Sequence, residues 1–130
     1  MTATVANFIR SAVVYMIIGV TMGALMAIYP QWGMVLRTSH AHINLLGWVS
    51  MMIFGVGYHT LPRFIGKPLH SEKIALVQLI LANVGVVGFA VFSELFNTNG
   101  GDLLRALLGV SGAIEALAFY LFAYNMLRTM

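Results

Sequence analysis

The sequence contains no cysteine. This absence excludes a disulfide framework, thiolate ligation of a metal, an iron–sulfur cluster held by cysteine and covalent haem attachment through a C-x-x-C-H motif. Charged residues are also scarce, at 8% of the 130 residues, whereas a soluble domain averages about 25%. Since 60% of the residues are hydrophobic, the composition predicts an all-α integral membrane protein with little mass outside the bilayer.

Positive charge is small in amount and dispersed along the chain. The formal net charge is +3, and the Lys and Arg residues lie at the ends of the apolar runs. A nucleic-acid-binding protein needs a clustered basic face, so no nucleic-acid partner is expected. Dispersed basic residues between apolar runs are typical of a chain whose partner is the lipid bilayer.

Four apolar runs are each near the roughly 20 residues that a helix needs to cross a bilayer. They are residues 11–29, 39–61, 74–93 and 103–126. The first run is longer than the core of a signal peptide, about 7–15 residues, which favours a retained helix. We therefore predict a single membrane domain over 1–130, with a tail before residue 11, a loop over 30–38 and a turn-rich loop from Glu94 to Asp102.

Four spans place both termini on one side of the membrane. The side of the termini holds most of the basic residues: Arg10, Arg63, Lys67, Lys73 and Arg128. The other side holds Arg37 and Arg105. The positive-inside rule then predicts a multi-pass protein of the inner (cytoplasmic) membrane with both termini in the cytoplasm. It also predicts that the second span starts at the outer face.

His40 and His42 lie at the head of that second span. Ionisable side chains are costly inside a membrane and are usually functional there. On a helix, residues i and i+2 point about 200° apart, so the two imidazoles face different sites. One interpretation is axial ligation of haem iron; the other is hydrogen bonding at the water interface.

Three considerations favour the haem interpretation. Arg37 lies about one turn earlier and could pair with haem propionates at the aqueous edge. Gly47 is one of several glycines where a flat macrocycle or another helix could approach closely. If the chain forms a closed ring, His40 of one subunit and His42 of the next could ligate one haem between them. Symmetric homo-oligomers are the usual form of such assemblies.

Residues 37–64 resemble the histidine-bearing helix of subunit I of the haem–copper oxidases, a superfamily that includes the nitric oxide reductases. The matching pattern reads His40-Ala-His42, ten residues, Ile53-Phe54-Gly55, three residues, His59, two residues, Pro62-Arg63-Phe64. In addition, His42-Ile-Asn44-Leu-Leu is similar to the His-x-Asn-Leu-Leu of the nitric oxide reductase branch.

The resemblance implies a fold, a cofactor and partners. Subunit I has twelve helices in three four-helix arcs, so a four-helix chain similar to one arc implies a homotrimer. The implied cofactor is non-covalent haem b, with His40 and His42 of adjacent subunits in the places of the low-spin ligands and Asn44 beside them. Bis-histidine ligation implies electron transfer, with a periplasmic electron carrier or quinol as the exchange partner.

The sequence departs from the family pattern at the residues that the family uses to bind its catalytic metals. The third and fourth spans contain no histidine, so no copper centre of the family type is expected. The iron site of nitric oxide reductases needs glutamates beside histidines. Glu115 is the one acid in the middle of a span, and helix rise places it about 15 Å deeper than His42. Enzymatic reduction of oxygen or nitric oxide is therefore not favoured.

Glu115 itself has two interpretations. A lone carboxyl group in hydrocarbon is expected to be protonated, hydrogen-bonded or both. Gln78 and Asn83 of the third span are its candidate partners by depth. Glu115 is then either a residue of a proton path or part of an interhelical polar clasp.

Three functions remain open from the sequence. The leading one is a cytochrome b-like protein with bis-histidine haem at subunit interfaces. The second is a sensor of nitric oxide, oxygen or redox state that uses the same haem. The third is a haem-free metal transporter or an oxidase assembly partner that uses histidine and methionine.

Overall fold

The computed structural model of the chain describes all 130 residues, and all of its regular elements are helical. The elements are α1 (Ala3–Ile28), α2 (Pro30–His42), a π-helical segment (Ile43–Ser50), α3 (Met51–Ile65), α4 (Glu72–Asn99) and α5 (Asp102–Thr129). Because α2, the π-helical segment and α3 follow one another without a break, they form one long helix. The structure thus has four helices long and apolar enough to cross a membrane, which confirms the all-α class and the expected number of candidate spans.

Helices α1 and α2 begin earlier than the apolar runs indicate. Thr2 caps α1, since its hydroxyl oxygen accepts a hydrogen bond from the Val5 N–H at 3.3 Å. Pro30 is the first residue of α2, where its fixed φ suits a helix and its missing N–H is not needed. The predicted loop over 30–38 is therefore wrong, because polarity ended the apolar run without ending the helix.

The helix ends carry local stop and start signals. Gly66 ends α3 with a φ of 72°, a left-handed conformation that glycine adopts without strain. Ser71 caps α4 by accepting from the Ile74 N–H at 3.2 Å. Helix α4 continues to Asn99, so the loop predicted from Glu94 onward is wrong for most of its length.

Glycines let the helices approach one another closely. The Tyr15 ring of α1 lies against Gly47, where a Cβ would be only 2.7 Å from the ring. At Gly85 of α4, a Cβ would lie 2.9 Å from the backbone nitrogen of Glu115 in α5. These positions set how far the helices are shifted along one another, because no larger residue fits there.

Polar side chains join the helices at the end of the bundle that holds the α3–α4 connection. The Tyr58 hydroxyl donates to Gln78 Oε1 at 2.6 Å, and both side chains are buried. Asn125 of α5 accepts from the Ser71 N–H at 3.0 Å, and Lys67 donates to the Met130 backbone oxygen at 2.7 Å. Both ends of the chain lie at this end of the bundle, as four crossings require.

Candidate functional site

The rings of His40 and His42 point in different directions, as their spacing predicts. The His40 ring faces α1, with Cε1 only 3.1 Å from the position that a Cβ on Gly23 would take. The His42 ring stacks on Phe89 of α4, with the ring centroids 3.9 Å apart and the planes 19° from parallel. The two imidazoles therefore belong to two separate environments and cannot share one ion within this chain.

His42 presents a free ring nitrogen. Its Nδ1 lies 2.9 Å from the backbone oxygen of Thr38, one turn earlier in α2. A carbonyl oxygen can only accept, so Nδ1 carries the hydrogen and Nε2 keeps its lone pair. A hydrogen bond from Nδ1 to a carbonyl is how metal-ligating histidines are usually oriented. His42 is thus held in the tautomer that ligates through Nε2.

His40 is held in the opposite tautomer by Asn44. The Asn44 amide nitrogen donates to the His40 backbone oxygen at 2.8 Å, which fixes the orientation of the amide. The same nitrogen lies 3.2 Å from His40 Nδ1 and donates to it. Nδ1 is therefore an acceptor, and Nε2 of the neutral ring carries the hydrogen. In this arrangement His40 offers no free lone pair, and Asn44 positions His40.

A π-helical segment starts directly after His42 and runs from Ile43 to Ser50. Asn44 donates to the His40 carbonyl, which is the acceptor that the Asn44 N–H would use in an α-helix. A side chain that competes for a backbone acceptor in this way is a recognised cause of a local change in helix geometry. Segments of π-helix occur frequently at functional sites, and the hydrophobic pattern does not reveal this one.

Glycines around the two histidines accommodate helix packing. A Cβ on Gly19 of α1 would lie 2.5–2.7 Å from the Asn44 side chain, and Gly23 lies against His40. Gly47 is occupied by the Tyr15 ring. Of the two roles expected for Gly47, close approach of a helix is the one observed. Gly19 and Gly23 thus make room on α1 for the side chains of Asn44 and His40. The spacing of two glycines four residues apart is the feature of the sequence that indicates this close helix contact.

His42 and Glu115 line the same groove. The groove measures about 310 Å³ and lies between the long helix, α4 and α5. Its lining residues are His42, Leu46, Phe89, Gly112, Glu115, Ala116 and Phe119. Glu115 is 6% exposed, and both of its carboxyl oxygens are buried without a hydrogen-bond partner. Buried polar atoms are nearly always paired, and the unpaired Glu115 carboxyl is an exception that its packing within the bundle does not explain.

This groove corrects the predicted depths of His42 and Glu115. The sequence placed His42 at the outer face and Glu115 about 15 Å deeper. Helix α2 starts at Pro30, so His42 is already about three turns inside the helix. Glu115 lies near the middle of α5, and the shared groove puts both side chains at that level. The error came from equating the start of the apolar run with the start of the helix.

The expected partners of Glu115 bind other residues. Gln78 accepts from Tyr58, and Asn83 Oδ1 accepts from the Tyr15 hydroxyl at 2.9 Å. The predicted clasp of Glu115 with Gln78 or Asn83 is therefore not formed. The prediction did not consider the tyrosines on α1 and α3 as partners of these two amides. A buried tyrosine hydroxyl needs an acceptor, and the amide oxygens supply it.

A second polar cluster joins α2 to α4 near the histidines. The Ser39 hydroxyl lies 2.9 Å from the Ala90 backbone oxygen and 2.8 Å from the Ser93 hydroxyl, and it also contacts the Glu94 carboxyl. Ser39 and Ser93 are each 2% exposed. Arg37, one turn before His40, is exposed to solvent and available to a group bound at the surface.

The side chains that line the groove include a suitable ligand for haem iron. Haem iron needs one or two axial donors from the protein, and His42 supplies one through Nε2. Phe89 and Phe119 provide aromatic walls, while Gly112 and Ala116 leave space on α5. His42 also borders a second depression of about 120 Å³ with Ala41, Leu45 and Leu46. The imidazole therefore lies between the interior of the bundle and its apolar outer surface.

Comparison with known proteins finds two partial relatives. The chain is 29% identical over 80 residues to the cbb3-type cytochrome c oxidase subunit CcoN1 of Stutzerimonas stutzeri, covering 61% of this chain and 16% of that protein. It is 28% identical over 126 residues to cytochrome c oxidase subunit 1 of Rhodobacter capsulatus, covering 78% of this chain and 23% of the relative. No protein-family model matches. The chain thus spans less than a quarter of either relative, and the similarity is to one part of an oxidase subunit.

Proposed function

We propose that this chain is a cytochrome b-like membrane protein that binds haem b without a covalent bond and transfers electrons. The observation that carries the proposal is His42, whose Nδ1 is hydrogen-bonded to the Thr38 carbonyl, which leaves Nε2 free, and whose side chain lines an open groove. Partial similarity to two cytochrome c oxidase subunits supports haem as the cofactor. Haem supplies a one-electron couple at its iron.

The residues of the groove would orient and surround the macrocycle. His42 is held by two contacts, one to the Thr38 carbonyl and one to the Phe89 ring, so that its ring plane is defined before the cofactor binds. Phe119 and Leu46 exclude water from the apolar part of the groove. The two carboxyl oxygens of Glu115 are unpaired but buried, so this side chain would have to move before it could bind a polar edge of a group that enters.

A second axial histidine would come from another copy of the chain. We propose a homo-oligomer, with a trimer expected from the twelve-helix arrangement of oxidase subunit I. His40 of the neighbouring copy is the candidate ligand. Its use would require the Asn44 hydrogen bond to leave Nδ1, so that the ring hydrogen can move from Nε2 to Nδ1 and leave Nε2 free to bind iron. Arg37 would then hold the propionates at the exposed edge.

The setting that we propose is the inner (cytoplasmic) membrane with both termini in the cytoplasm. The basic residues on the side of the termini support this orientation through the positive-inside rule. A haem in the groove could exchange electrons with a periplasmic carrier or with quinol. The family copper centre is not part of the proposal.

Absorption spectroscopy of the purified protein with His42→Ala tests the proposal. Wild-type protein is expected to show a low-spin haem b spectrum at one haem per chain. Loss of the ligand in His42→Ala is expected to lower the affinity for haem by at least about tenfold and so to lower the haem-to-protein ratio, since removing even a hydrogen-bond partner of a ligand costs about 10–100-fold in affinity. Full haem content in His42→Ala would refute His42 as a ligand.

His59→Ala is the matched control. His59 is on the same long helix, hydrogen-bonds to Arg63 and lies outside the groove. Haem content and spectrum are expected to be unchanged in this variant. Equal haem loss in His59→Ala and His42→Ala would show that the effect comes from helix stability. Purification of folded wild-type protein without haem, even after haem is supplied, would instead favour metal transport or oxidase assembly.

One observation favours a gas or redox sensor as the second candidate. His40 Nδ1 accepts from Asn44, so a single chain offers one free imidazole nitrogen and leaves one axial position of the iron open. A sensor of nitric oxide or oxygen needs such a position. In that case the reduced spectrum shifts when carbon monoxide is added, and His40→Ala leaves the spectrum unchanged. An unshifted spectrum that changes in His40→Ala supports electron transfer through two histidine ligands.

A further inference from the structure

A cavity lies away from the histidine groove, at the end of the bundle that holds both termini. It measures about 530 Å³ and is formed by the start of α1, the end of α3 and the connection to α4. Two basic side chains, Arg63 and Lys67, and one acidic side chain, Glu72, line it. The cavity therefore combines an excess of positive charge with a partly apolar lining.

Arg63 and Lys67 each have N–H donors that are not used in hydrogen bonds within the chain. Arg63 uses one terminal nitrogen for hydrogen bonds to His59 Nδ1 and to the His59 backbone oxygen. A guanidinium has five N–H donors, so most of those of Arg63 remain available. Lys67 donates one hydrogen to the Met130 backbone oxygen at 2.7 Å and keeps two. An anion with several acceptor oxygens would satisfy both side chains at once.

The position of the cavity indicates that the anion belongs to a lipid. Gly66 ends α3 next to the cavity, so the basic groups lie where a spanning helix meets the membrane surface. The neighbouring surface is apolar: Phe64 is 85% exposed, and Ile65 is 37% exposed. Val5 and Leu69 form apolar walls of the cavity itself. A ligand that fits both surfaces has a phosphate head beside a hydrocarbon chain.

We infer that this cavity binds the phosphodiester headgroup of an anionic phospholipid, such as phosphatidylglycerol. Arg63 and Lys67 contact the phosphate oxygens, and the acyl chains lie on the exposed apolar surface beside Phe64. Basic pockets at helix ends are typical sites for such headgroups. The inference does not depend on the proposed haem function, because it involves none of the groove residues.

Native mass spectrometry of the full chain in detergent, titrated with phosphatidylglycerol or phosphatidylcholine, tests the inference. Wild-type protein is expected to bind phosphatidylglycerol preferentially. Arg63→Gln with Lys67→Gln is expected to weaken that binding about 30-fold, roughly fivefold for each basic residue, without affecting phosphatidylcholine. Unchanged phosphatidylglycerol binding in this double variant would overturn the inference.

Two further variants separate the cavity from general surface charge. Lys73→Gln with Arg128→Gln removes the same charge from exposed positions at the same end, and less than about a threefold loss is expected because of screening. Loss equal to that of the cavity variant would show diffuse attraction only. Glu72→Gln removes the acid from the cavity and is expected to tighten phosphatidylglycerol binding, a gain that misfolding cannot produce; no gain would count against the site.

Competition with glycerol 3-phosphate distinguishes the lipid from a soluble phosphate. This anion carries the head chemistry without acyl chains. Failure to displace the lipid at millimolar concentration supports a lipid site, since the apolar surface then contributes to binding. Displacement at micromolar concentration would assign the cavity to a soluble phosphate compound and overturn the lipid assignment.

Discussion

Gly85 is the position where a single added methyl group has the most definite consequence. It is buried in α4 and faces the backbone of α5. A Cβ at this position would lie 2.9 Å from the Glu115 nitrogen and 3.0 Å from its Cα. Real Cβ atoms do not approach backbone atoms this closely. Gly85→Ala must therefore push α5 away from α4 at the level of the groove.

The magnitude follows from two opposing effects. Overpacking a tightly packed interface costs about 1–3 kcal/mol, and a backbone neighbour cannot rotate away as a side chain does. Alanine has a higher helix propensity than glycine, which returns up to about 1 kcal/mol. Gly109→Ala is the matched control, because Gly109 is exposed on α5 with nothing within 4 Å of its Cβ position. The propensity effect is common to both variants, so their difference isolates the packing cost at about 1–3 kcal/mol.

The assay is unfolding in mixed micelles, with the free energy of unfolding obtained from a titration with denaturing detergent. We expect Gly85→Ala to be less stable than Gly109→Ala by that difference. If the proposed haem occupies the groove, Gly85→Ala is also expected to retain less haem because Glu115 moves away from His42. Equal stability of the two variants would refute the packing of α4 on α5 through Gly85. Normal haem retention in a destabilised Gly85→Ala would refute the role of this packing in shaping the groove.

Two other polar contacts make predictions in the same assay. Ser39→Ala removes a buried hydroxyl that joins α2 to α4 and should lower the free energy of unfolding by about 1–2 kcal/mol. Ser50→Ala is its control, because the Ser50 hydroxyl is hydrogen-bonded only within its own helix, and it should change the free energy of unfolding by less than about 0.5 kcal/mol. Tyr58→Phe leaves the buried Gln78 oxygen without its donor and should cost about 1–2 kcal/mol. Tyr120→Phe is its control, since Tyr120 is 71% exposed, and equal losses in the two tyrosine variants would contradict the buried pairing.

Local pattern was sufficient for several parts of the site. The opposite directions of His40 and His42 follow from helix geometry alone, because residues two apart always diverge. The Nδ1 contact of His42 is to the carbonyl four residues earlier, and every α-helix offers such a carbonyl. Asn44 reaches His40 over the same separation. These interactions could be predicted in principle, since both partners are on one helix.

Parts of the site that involve two helices could not be predicted in this way. Glu115 was expected to contact Gln78 or Asn83 because their positions in the spans indicated a similar depth, yet the structure pairs those amides with Tyr58 and Tyr15. Depth was counted from the start of each apolar run, and helix α2 starts well before its run does. An error in one helix start shifts every contact that the helix makes.

Composition and hydrophobic pattern by themselves determined that the chain is all-helical and that it has four helices able to span a membrane. They also determined that the two histidine side chains on the second of these helices point in different directions. The physical reason is that apolar length and helix geometry are local properties. Only the tertiary structure decided that His42 and Glu115 share a groove while His40 packs against α1. That outcome depends on how far the helices are shifted along one another, which is set by close contacts at residues such as Gly23, Gly47 and Gly85.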